Sequence, residues 1–92
     1  MSSRAYASGV SQGRAARRSI AHNLGNFAEA LGRLGWSVRR VRDRALAEAP
    51  ALTDGVRAQI AGLAEGAGQP TTLVLAFNLY REAVLPDGCT VM

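Results

Sequence analysis

The one cysteine of the chain, Cys89, follows Pro86-Asp87-Gly88 and precedes Thr90. A cysteine thiolate is a strong nucleophile, and glycine ahead of it has no side chain to obstruct attack on the Gly88 carbonyl. The spacing permits an N-to-S acyl shift that would split the chain between Gly88 and Cys89. The freed α-amine of Cys89, titrating near pH ~8, could then act as base for its own thiol. A lone cysteine is otherwise a small apolar residue, and spacing alone leaves both readings open.

Other residues with chemical potential are less constrained. The run Arg39-Arg40-Val41-Arg42-Asp43-Arg44 could track a phosphate backbone, but no helix-turn-helix spacing, zinc pattern or stacking aromatic accompanies it, and it is read as a solvated helix face. His22 has no second histidine, cysteine or paired carboxylate near it in sequence and is read as a surface residue, so no metal site is expected. Gly66-Ala67-Gly68 lacks the preceding strand and the following lysine of a phosphate loop; it reads as a helix stop. Trp36 and Tyr80 are expected at a core or an interface.

Positioning these groups requires helices. Residues 1 to 11 are small and polar, and Gly9 and Gly13 allow either a tight turn or close approach of another backbone, with Ser11 as a possible cap. From Ala16 the apolar residues Ile20, Leu24, Phe27, Leu31 and Leu34 recur at helical spacing, with Arg14, Arg18, His22, Glu29 and Arg33 on the opposite face. Gly32 and Gly35 end this helix, and Ser37 caps a second that carries Val38, Val41 and Ala45 and stops before Pro50. A third starts at Thr53-Asp54, presents Val56, Ile60, Leu63 and Ala67, and ends in Gly66-Ala67-Gly68-Gln69-Pro70. Thr71 or Thr72 opens a fourth, with Leu73, Phe77, Tyr80 and Val84 in a stripe and further apolar residues around it. Thr71 to Phe77 is equally compatible with a strand.

Composition narrows the class. Ninety-two residues suit one small domain whose core is marginal, and with 48% hydrophobic but only 5% aromatic residues most apolar side chains are small. All eleven basic side chains are arginine, and the net charge of +4 favours acidic partners without choosing among them. A single cysteine excludes an intramolecular disulfide and fits a reducing compartment. With neither a secretory signal nor an apolar run long enough to span a bilayer, a cytoplasmic location is expected.

The order of features resembles a known family. Gly9-x-x-x-Gly13, a long amphipathic helix, Ile60-Ala61-Gly62-Leu63-Ala64-Glu65-Gly66-Ala67-Gly68, Asn78-Leu79-Tyr80-Arg81-Glu82 and Asp87-Gly88-Cys89-Thr90 together resemble the N-terminal part of the autoproteolytic cysteine N-terminal-nucleophile hydrolases typified by acyl-coenzyme A:6-aminopenicillanic acid acyltransferase. The resemblance runs from about Gly9 to Thr90. It implies self-cleavage at Gly88-Cys89, with Cys89 as both autoproteolytic and catalytic nucleophile, and amide hydrolysis or acyl transfer through a thioester. It implies supporting roles for Asn78 and Glu82, no cofactor, and an acyl-coenzyme A as a substrate within the family. The sequence departs from the family pattern in having Gln12 where histidine is frequent and Arg81 beside Glu82 where the arginine usually comes earlier.

These readings converge on a mainly α chain of about four helices. Residues 1–92 are expected to form a single incomplete domain, a helical leader at 9–88 with the nucleophile junction at 88–92. The sheets of the family's αββα sandwich are expected to be absent, because they derive from residues after the cysteine. The expected partners are a C-terminal catalytic region or subunit and a small-molecule amide or thioester. The alternative is a small basic helical module that binds nucleic acid or another subunit.

Overall fold

A computed structural model describes residues 3–84. Among them lie five α-helices and no strand: α1 (Ser3–Ala15), α2 (Arg17–Arg33), α3 (Val38–Glu48), α4 (Asp54–Ala67) and α5 (Thr71–Val84), with a single 3-10 turn at Ala49–Ala51. The mainly helical expectation holds, and Thr71 to Phe77 is helical rather than extended.

The local signals act where sequence places them. Ser37 accepts a hydrogen bond from the Arg40 backbone N–H at 3.3 Å, and Thr53 accepts one from Val56 at 3.2 Å, each satisfying a donor of the first helical turn. Helix α2 closes with Gly35 at φ 76°. There the Trp36 N–H donates to Leu31 and the Gly35 N–H to Gly32, the paired bonds of a Schellman motif. The same pair closes α4, where Gly68 at φ 70° donates to Glu65 and Gln69 donates to Ala64. Pro50 falls in the 3-10 turn, so α3 stops two residues earlier.

The opening residues differ from expectation. They form helix α1, Ser11 lies within it, and α2 follows after Ala16 without a side-chain cap. Of the two uses foreseen for Gly9 and Gly13, close approach is the one realised. Glycines line both sides of the contact: an added Cβ at Gly9 would lie 2.3 Å from the Gln59 carbonyl oxygen, and at Gly13 2.3 Å from that of Leu63. Reciprocally, a Cβ at Gly62 would meet the Tyr6 carbonyl at 2.2 Å and one at Gly66 that of Val10 at 2.1 Å. Both helices run in the same direction, backbone against backbone, with Gln59 donating to Gln12 at 3.4 Å across the seam.

The core is built by α2 to α5. Leu24, Phe27, Leu31, Val41, Ala45, Ile60, Ala64, Val74, Leu75 and Ala76 are buried together, and Phe27 meets Phe77 edge-on at 5.4 Å. On α5 the most buried residues are Val74, Leu75, Ala76 and Val84, while Leu73, Phe77 and Tyr80 are half-buried. The stripe read from periodicity is thus rotated toward the second apolar row, because α5 packs against α2, α3 and α4 at once. Leu34 at 51% and Val56 at 43% are exposed ends of their stripes.

Candidate functional site

Gly88 and Cys89 lie outside the described residues. Asn78 and Glu82, the two residues assigned to support the junction, are exposed on α5 one turn apart, which puts them on one face of the helix that leads toward it. The Asn78 side-chain amide donates to the Val74 carbonyl at 2.9 Å, within its own helix. Glu82 is exposed beside Arg81, whose guanidinium lies over the Phe77 ring at 5.8 Å.

The arginine run is split by the packing of α3. Arg42 turns inward and donates to the Thr72 hydroxyl at 2.8 Å. Arg44 pairs with Glu48 at 3.2 Å on the outside of the same helix. Arg39 and Arg40 are exposed. The four side chains therefore do not form one stripe. His22 shares a hydrogen bond with Asn26 at 3.2 Å on the exposed face of α2. Among the described residues no three His, Cys, Asp or Glu side chains gather as metal ligands would, and no helix is long and apolar enough to cross a membrane.

The feature that sequence reasoning missed is a cleft of about 770 Å³ between the α2–α3 turn, α3 and the last turns of α5. Two local devices build its rim. The Schellman closure at Gly35 and the cap at Ser37 leave Trp36 between two fixed helix ends, where its indole stays 48% exposed. Val41 and Ala83 supply apolar wall, and Arg40, Arg44, Glu48 and Tyr80 supply the polar groups. The signal in sequence was an aromatic residue pinned between Gly35 and Ser37; its partner Tyr80 was not legible, because it arrives from a distant helix.

Tyr80 and Glu48 are joined across the cleft, the hydroxyl donating to Glu48 Oε1 at 2.7 Å. That bond holds the Glu48 carboxyl below its ordinary range; partial desolvation opposes it, while the hydrogen bond and charge of Arg44 reinforce it. Tyr80 moves the other way, raised by desolvation first and then by the carboxylate it faces.

The two shifts bracket a pH window. A depressed carboxyl adds stability above its unfolded value of 4.5, which is lost as pH falls through the lower folded value. A raised phenol adds stability below its unfolded value of 10.0, which is lost as pH rises through the higher folded value. Tyr80→Phe is therefore expected to destabilise the chain most near neutrality and progressively less toward either extreme. Urea melts across pH check this, and a pH-independent difference would contradict it.

Compared with protein-family models, curated proteins and solved structures, the chain matches none.

Proposed function

We propose that this chain is the helical leader and nucleophile junction of a cysteine N-terminal-nucleophile acyltransferase or amide hydrolase. The observation that supports this reading most is the seam between α1 and α4. Gly9-x-x-x-Gly13 and the Ile60–Gly68 block carry the resemblance from distant parts of the sequence, and Gly9 and Gly13 meet Gly62 and Gly66 of that block in one backbone contact. The resemblance thus falls on residues that serve a single structural purpose. Asn78 and Glu82 lie on an exposed face of the helix before the junction, a surface that a further region of protein would meet.

In the proposed reaction the Cys89 sulfur attacks the Gly88 carbonyl carbon as the thiol gives up its proton. The peptide C–N bond breaks, the α-amine of Cys89 leaves with a proton, and a Gly88 thioester forms. Water hydrolyses that thioester, freeing the Gly88 carboxylate and the Cys89 thiol. Cys89 then attacks an amide or thioester substrate, with its own α-amine as base. The partner is a C-terminal catalytic region or subunit, since donors to the oxyanion usually supply the largest catalytic contribution. A cytoplasmic location belongs to the proposal, because the nucleophile must stay reduced.

Expression joined to the C-terminal catalytic region that the proposal invokes tests the reading by intact mass. Two products that meet between Gly88 and Cys89 are expected, with Cys89→Ala giving only the uncut precursor. A precursor that stays whole, or that is cut equally well in Cys89→Ala, removes the proposal.

A further inference from the structure

The polar groups of the cleft beside Trp36 are unequally committed. Both oxygens of Glu48 are engaged, Oε1 accepting from Tyr80 at 2.7 Å and Oε2 from Arg44 at 3.2 Å. Arg44 is matched by the same contact. The backbone N–H of Arg40 caps onto Ser37, but among the described residues its guanidinium makes no hydrogen bond or ion pair. One uncompensated positive charge therefore remains beside a half-exposed indole, the Tyr80 ring and the side chains of Val41 and Ala83.

We propose that this cleft binds a small organic monoanion, its planar apolar body lying against Trp36 and Tyr80 and its carboxylate on Arg40. A guanidinium presents a planar fork that matches a carboxylate through two parallel hydrogen bonds. The apolar wall gives the rest of the ligand a surface to leave water on, and the volume of about 770 Å³ lies within the usual ~300–1,000 Å³ of small-molecule sites. A polyanion fits less well, since Arg44 is already paired with Glu48 and Arg42 does not line the cleft. The net charge of +4 draws anions to the surface, and Arg40 selects where one settles.

The inference does not depend on self-cleavage, so the two readings fail separately. Trp36 is the one tryptophan of the chain, and its emission reports the cleft directly. Titration with hydrocinnamate is expected to give a saturable change, and the neutral isostere hydrocinnamide is expected to bind at least tenfold more weakly. Arg40→Ala should weaken hydrocinnamate about tenfold, with Arg40→Lys weakened less. Arg33→Ala, on α2 and paired with Glu29, should bind as the parent does. Circular dichroism of each variant checks that the helices are intact. A change that never saturates, equal binding of acid and amide, or equal losses in Arg40→Ala and Arg33→Ala would overturn the assignment.

Discussion

Gly66→Leu is expected to release α1 from α4 while leaving the rest of the helices assembled. Even the first carbon of the new side chain would sit 2.1 Å from the Val10 carbonyl oxygen and 2.8 Å from the Arg14 nitrogen. Both are backbone atoms of a helix and cannot rotate away. The helices must move apart, and the close contact that binds α1 is lost along its length. Overpacking a tight site costs about 1–3 kcal/mol when neighbours can adjust, and here they cannot, so the whole docking energy of α1 is at stake. The core cluster draws its residues from α2 to α5 and none from α1, which is why the damage should stay local.

Hydrogen exchange resolved by segment checks this: protection should vanish over Ser3–Ala15 and persist in α2 and α5. Gly25→Ala is the matched control. Beyond its own stretch of helix no atom lies within 4 Å of its added Cβ, and exchanging an exposed helical glycine for alanine is expected to stabilise by about 0.5–1 kcal/mol. Retained protection of α1 in Gly66→Leu would mean that the seam tolerates side chains and that its glycines are incidental.

The second large effect is expected from Phe27→Ala. Phe27 and Leu31 are the largest side chains with no exposure, and the core around them is rich in alanine and valine. Removing the ring takes away its edge-on contact with Phe77 and leaves a cavity that small neighbours cannot reach across, a change worth about 3–5 kcal/mol. A domain of this size has on the order of 5–14 kcal/mol in total, so the variant should be severely destabilised or unfolded. Urea denaturation followed by circular dichroism measures it. A loss below about 1.5 kcal/mol would show that Phe77 and Leu31 collapse into the space.

Local chemistry made much of this fold legible in the sequence. Ser37 and Thr53 cap helices, and Gly35 and Gly68 take left-handed backbone at helix ends, because each acts on donors and carbonyls within a few residues. The apolar periodicity of Leu24, Phe27 and Leu31 identified the buried face of α2. It was less reliable on α5, where apolar residues surround the helix and the choice of row depends on what packs there. The candidate site divides the same way. Asn78 and Glu82 are one turn apart on a helix, a relation that spacing alone predicts, whereas the cleft beside Trp36 is not visible in any short stretch.

The sequence by itself determined that the chain is helical, where most helices begin and end, and which residue could act as a nucleophile. Those properties come from backbone hydrogen-bonding rules, side-chain period and intrinsic reactivity, all of which operate locally. Tertiary structure alone decided that Gly9 and Gly13 face Gly62 and Gly66, that Arg42 reaches Thr72 while among the described residues Arg40 has no partner, and that Tyr80 meets Glu48 from 32 residues away. Such pairings depend on how helices stack, and two helices with identical local signals can meet along different faces. Here the glycines set the choice between α1 and α4, since only their smooth rows let two backbones come that close.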